Sequence, residues 1–176
     1  MRESIGSTWI FQIVVIFILL FVGFLFLTLT YSKSYKLKNE VINIIEKNGS
    51  VNKKSVALIN NYLTNSGYSY KYRCPQQTAE TINDPVWYGC NDLEGNTLVE
   101  VTNNNKDYYY CIRKFTNKDN EAGSYGSPAN KNITMYYEIQ IFYKFSLPII
   151  ENIGTFTTNG TTNDMFIRKD IFDKNV

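Results

Sequence analysis

The residues best able to do covalent or redox chemistry are Cys74, Cys90 and Cys111. They are spaced C-x15-C-x20-C and no histidine accompanies them anywhere in the chain. That pattern matches no zinc or dithiol redox motif. It also removes Ser-His-Asp and Cys-His catalysis and His-based zinc sites. What remains is cystine chemistry: one disulfide and one free thiol in an oxidising compartment, or three buried thiols in a reducing one. Three pairings are open. Cys74 closes one predicted strand and Cys111 lies inside another, so a cross-strand bridge Cys74–Cys111 is the pairing expected. Cys90 sits in a Gly-Cys-Asn-Asp turn.

The carboxylates Asp84, Asp92, Glu94, Glu100, Asp107 and Glu138 are scattered. Asp92-Leu93-Glu94-Gly95 reads as a turn, and no D-x-D-x-D-G calcium loop exists. Phosphate loops, dinucleotide fingerprints and nucleophile elbows are missing as well. The expectation is a chain with no enzymatic activity, no cofactor and no bound metal. A net charge of +2 makes no bulk case for a nucleic-acid partner. Fourteen tyrosines and eleven phenylalanines exclude a disordered chain. Tyrosines on strands serve as core or as subunit interface.

The 176 residues fit one domain plus an appendage. Residues 1–8 are a short N-terminal tail. Trp9 to Leu29 is an uncharged apolar run with only Gln12 and Thr28 polar. At about 1.5 Å per residue it covers roughly 30 Å, the hydrocarbon thickness of a bilayer. Trp9 and Tyr31 bracket it as interfacial aromatics do. The run is longer than a signal-peptide core, so residues 9–30 are expected to be a permanent transmembrane helix with membrane lipid as partner. Gly23 is the only glycine, alanine or serine in the run. Helices in lipid associate by close packing, so Gly23 is the candidate helix-packing position.

Residues 31–66 read as a helical stem and a second helix. Tyr31, Tyr35, Val41, Ile42 and Ile45 recur at helical spacing, and neither Pro nor Gly intervenes before Asn48. Asn48-Gly49-Ser50 predicts a stop. Ser55 is the expected cap of a helix over Val56 to Ser66, closed by Gly67. Residues 67–176 form a β-rich head, with strands expected at 68–73, 86–90, 97–102, 107–115 and 133–147. A polar loop is expected over Asn117 to Asn132. In the longest strand Ile133, Met135, Tyr137, Ile139, Ile141, Tyr143, Phe145 and Leu147 alternate with polar neighbours, which predicts one core face and one wet face. Pro148 ends it. Asn159-Gly160 predicts a two-residue hairpin between strands at 154–158 and 161–168. The expected fold is α+β: an N-terminal transmembrane helix continuing into a long stem, then a small antiparallel head.

Charge is divided along the chain. Residues 33–73 hold eight basic side chains and two acidic ones; residues 74–176 hold nine basic and thirteen acidic. Lys33, Lys36 and Lys38 follow the apolar run, and the positive-inside rule alone would keep the head in the cytoplasm.

A short charged tail, Gly6 ahead of an apolar helix, an unbroken amphipathic continuation and an antiparallel head together resemble type IV pilin-like proteins. The stretch YYEIQIFYKFSLPIIENIGTFTTNGTTNDMFIRK resembles the TadE-like pseudopilins of tight-adherence systems. The resemblance implies a single-pass protein of the bacterial cell membrane with its head outside, against the lysine count. It implies Gly6 as the candidate processing site. It also implies a structural role in a pilus, adhesion or secretion system, with other pilin-like subunits or assembly-platform proteins as partners. The sequence departs from the family at one place: counted from Ser7, the fifth residue is Phe11 rather than Glu. The alternative readings are a single-pass anchored extracellular ligand-binding or sensor module, and a viral envelope protein.

Overall fold

The computed structural model describes residues 2–76, 85–102, 106–117, 134–147 and 150–166, with backbone alone at 2–8, 117, 145–147 and 150–153. The loop expected after Asn117, together with Asp84, Ile133, Pro148 and the chain past Phe166, lies outside these residues. Helix α1, Arg2–Asn48, is unbroken, as a stretch without helix breakers past Gly23 allows. It stops at Gly49, whose φ is 68° and whose N–H donates to Glu46 O at 3.1 Å.

Helix α2 is Lys53–Asn65. Its cap is Asn52, three residues earlier than the Ser55 expected from sequence. Asn52 Oδ1 accepts from Ser55 N at 2.9 Å, and Ser55 Oγ accepts from Asn52 N at 2.8 Å. Ser55 is therefore the third helical residue of a capping box. At the other end Tyr68 N donates to Leu63 O and Gly67 N to Thr64 O, both at 3.0 Å, with Gly67 at φ 68°. This paired closure needs a left-handed residue after the cap, which glycine supplies without a Cβ clash.

Six strands follow: β1 (Tyr88–Cys90), β2 (Val99–Glu100), β3 (Tyr110–Asn117), β4 (Thr134–Leu147), β5 (Ile150–Thr161) and β6 (Met165–Phe166). They form one antiparallel sheet in the order β2-β1-β3-β4-β5, and β6 continues the β5 side by pairing with β4. Three expectations need correction. Residues 68–73 make only an isolated bridge, Tyr72 with Tyr108. Asn159-Gly160 is not a turn: β5 runs through it, pairing Gly160 with Ile139 and Asn159 with Gln140. The glycine serves packing instead, because a Cβ there would lie 2.8 Å from both Ile42 Cδ1 and Lys38 Cδ of α1.

The third correction concerns the alternation of β4. Met135, Tyr137, Ile139 and Ile141 do enter a core, together with Leu37, Val41 and Ile45 of α1 and Val56, Ile59 and Leu63 of α2. The opposite face is not simply wet. Phe142, Cys111, Tyr108, Trp87 and Cys74 form a second buried cluster there. The sheet is thus covered by helices on one face and, over part of the other, by the extended segment that carries Cys74.

Candidate functional site

Most of the apolar part of α1 is exposed. Trp9, Phe11, Leu20 and Leu29 are each 68–70% exposed, and the other large apolar side chains from Ile10 to Phe26 are exposed too. The helix contains an eighteen-residue window of mean hydropathy 3.1, long and apolar enough to cross a membrane. Two hydroxyls at the end of the apolar run are satisfied inside the helix. Thr28 Oγ1 donates to Phe24 O at 2.9 Å and Thr30 Oγ1 to Phe26 O at 3.0 Å. That removes the penalty of a bare hydroxyl in a low-dielectric medium. Nothing lies within 4 Å of a Cβ built on Gly23. Gly6 falls on the helical backbone of α1.

Where α1 reaches the head, Tyr31 stacks on Tyr35 at 6.5 Å, and Lys38 Nζ sits 4.3 Å over the Tyr35 ring. Ser34 and Leu37 begin the buried face of the helix. Lys38 is therefore engaged by the Tyr35 ring as well as by Gly160.

The cysteines divide by environment. Cys74 and Cys111 form a disulfide with a Cα–Cα distance of 5.8 Å, stapling the extended segment to β3. Cys90 is a buried thiol. It lies 3.2 Å from Asp92 O and 3.6 Å from Asn60 Oδ1, which also accepts from Tyr110 Oη at 2.8 Å. Asn60 Nδ2 donates to Asn96 Oδ1 at 3.4 Å. Sequence reasoning missed Asn60, because a polar residue on the buried face of α2 breaks the apolar pattern used to find that face. Burial pushes the Cys90 thiol up, outweighing the hydrogen bonds that favour a thiolate. A neutral, enclosed thiol is a poor nucleophile.

Tyr68 Oη lies 2.8 Å from both Tyr109 O and Phe142 O, and it accepts from Phe142 N at 3.1 Å. Burial raises both Tyr68 and Tyr110. All three groups are raised in the folded state from ordinary values of 9.0 for the thiol and 10.0 for the phenols. Their neutral forms therefore contribute stability below those values. It is lost as pH rises above them, since the unfolded chain then releases protons that the fold retains. We expect the denaturation midpoint to be level from neutral pH to about 9 and to fall above it. Tyr110→Phe should flatten the fall while lowering stability at neutral pH. A midpoint unchanged into strong alkali would contradict the burial of these groups.

On the far face Arg113 Nη2 pairs with Glu138 Oε2 at 2.8 Å. The Arg113 guanidinium lies 4.7 Å from the Trp87 ring and 4.6 Å from Phe115, which itself stacks on Tyr136 at 4.9 Å. Glu138 is thus taken up by a cross-strand ladder. Asp92 Oδ1 accepts from Glu94 N at 3.0 Å, as a turn residue does. Among the described residues no three His, Cys, Asp or Glu side chains are grouped to hold a metal.

No family model, curated protein or solved structure matches this chain. Its reading rests on its own geometry. Two open grooves are found among the described residues. One runs along α1 between Lys36, Asn39, Glu40, Asn43, Glu46 and Tyr62; the other lies between Pro75, Trp87, Glu100 and Thr102. Neither is the enclosed, mostly apolar cavity that small-molecule sites use. The exposed apolar helix, continuous through α1 with a disulfide-stapled head, is the candidate functional feature.

Proposed function

We propose that this chain is a structural, non-enzymatic subunit of pilin-like (TadE-like) type, anchored by α1 in a bacterial cell membrane. Its head lies outside, and it acts with other pilin-like subunits or assembly-platform proteins in a pilus, adhesion or secretion system. The observation that carries this reading is the double use of one unbroken helix. From Trp9 to Phe26 α1 exposes its large apolar side chains, while Leu37, Val41 and Ile45 of the same helix lie in the core of the head. A head joined rigidly to its anchor transmits lateral packing of the helix into a defined placement of the head. A tethered binding module needs no such coupling.

One feature favours the outside placement over the lysine count: a cystine suits an oxidising compartment. The missing glutamate leaves Phe11, 70% exposed, at the position where the resembled family pairs a carboxylate with a neighbour.

The test is crosslinking and co-purification of the full chain and its Gly23→Leu variant at matched expression, with a periplasm-type reporter fused after Val176. The space around Gly23 is open, so the variant should fold and insert as the parent does. Partner recovery should fall, by about 1 kcal/mol of association, and the reporter should be active. Partners absent from both samples would transfer the reading to an anchored binding module. A reporter active only in the cytoplasm would reverse the topology.

A further inference from the structure

We propose that the end of the sheet formed by β4 and β5 is a second membrane contact, resting in the interfacial layer of the lipid surface that α1 enters. The inference rests on the anchor reading above and adds to it a partner for the head itself.

The first argument is one of level. Along β4 the chain travels back down α1. Ile139 pairs with Gly160, which lies against Ile42 and Lys38. Tyr143, four residues further on, pairs with Phe156. Those four strand residues advance the backbone about 13 Å, equivalent to about nine residues of helix, which brings Tyr143 down from the level of Lys38 and Ile42 to that of Tyr31. The ladder continues beyond this point through Lys144–Thr155, Phe145–Gly154 and Leu147–Ile150. Four more strand residues carry the backbone about 13 Å, equivalent to about nine residues of helix. From the level of Tyr31 that distance reaches into the apolar run, which ends at Leu29.

Burial along α1 agrees. Ile45, Val41, Leu37 and Ser34 are buried, and at the same three- and four-residue steps Thr30 and Leu27 are half-buried. Their neighbours Phe24, Phe26 and Leu29 remain exposed. One stripe of the helix is thus covered past the point where the apolar run begins.

The chemistry at this level is interfacial. Tyr31, Tyr35 and Phe156 are 56%, 46% and 39% exposed, and Tyr143 stacks on Phe156 at 5.7 Å. Amphipathic rings beside a lysine are the composition that settles at the headgroup layer. Gly154 has φ 131°, and the register shifts between Phe145 and Leu147. Such an irregularity bends a strand pair and re-aims its end, here beside the helix. Two contacts, helix and sheet end, would fix the tilt of the head over the membrane.

The test uses tryptophan emission from the full chain in vesicles containing lipids brominated either deep or near the headgroup. With Trp9 and Trp87 changed to phenylalanine, Phe156→Trp places one probe at the sheet end. Phe166→Trp places it at the opposite end of β4, where Phe166 is 72% exposed and pairs with Thr134. A third chain, altered only by Trp87→Phe, reports the helix through Trp9. We expect Trp9 to be quenched. The Phe156→Trp probe should lose emission to the headgroup-proximal bromines and shift to the blue, while the Phe166→Trp probe is unaffected. Equal, unquenched emission from both head probes with Trp9 quenched would overturn the sheet-end contact and leave the anchor standing. An unquenched Trp9 would overturn the anchor, and this inference with it.

Discussion

Cys111→Ser will lower the unfolding free energy of the head by about 2–4 kcal/mol. The disulfide joins positions 37 residues apart. Closing a loop of that length restricts the unfolded chain by about 4 kcal/mol in the chain-entropy description. The native state supports the bond without help from a regular strand pair. Among the described residues the backbone of the segment carrying Cys74 pairs at a single bridge, between Tyr72 and Tyr108, with Tyr72 N donating to Tyr108 O at 2.9 Å and Tyr108 N to Tyr72 O at 2.8 Å. Losing the staple therefore frees the cover over Phe142 and Trp87, and their burial weakens with it. The Cys74→Ser/Cys111→Ser pair should be no worse than either single change, because the two act through one bond. The check is urea denaturation of the full chain in detergent, with and without reductant. Reduction should move the parent protein to the variant's midpoint and leave the variant where it is. Thiol titration of the oxidised, denatured parent should find one thiol per chain, Cys90. Three thiols, or a midpoint indifferent to reductant, would remove the staple.

Ile45→Ala should cost about 2–5 kcal/mol through lost burial and the cavity left behind. Ile45 is fully buried near the end of α1, among Val41, Val51, Ile59 and the inward residues of β4. Its position gives the change a second consequence. It loosens the seat by which the stem holds the head, so head placement over the membrane should become less uniform. Lys36→Ala, on the exposed side of α1, should stay within about 0.5 kcal/mol. Near-ultraviolet dichroism during denaturation reads the first effect, since the core is rich in tyrosine. Crosslinking yield between head positions and lipid reads the second. An Ile45→Ala midpoint matching that of Lys36→Ala would show that the helix end is not docked.

Local signals in the sequence determined much of the frame. An uncharged run long enough to span a bilayer, followed by helical spacing without Pro or Gly, specified one long helix. Gly67 specified its own left-handed cap, because that conformation penalises any Cβ. Strict alternation specified β4, because a strand presents its faces with period two. These features depend on neighbours a few residues apart, which is why they could be read without a fold.

What only the tertiary structure decided depends on residues far apart. Asn159-Gly160 carries a good hairpin signal, yet a continuous partner in β4 and the close approach of Lys38 and Ile42 hold it inside β5. Ser55 looked like a cap until Asn52 accepted its backbone N–H. Of three possible cysteine pairings the strand positions favoured Cys74–Cys111, and the fold makes it by bringing Cys74 beside β3, covering a face of β4 that alternation had assigned to water. Asn60 escaped notice because its partners, Tyr110 and Asn96, lie 50 and 36 residues away. Pairing, coverage and satisfaction of buried polar groups are properties of contacts between distant segments, and a local pattern contains no information on which segments will meet.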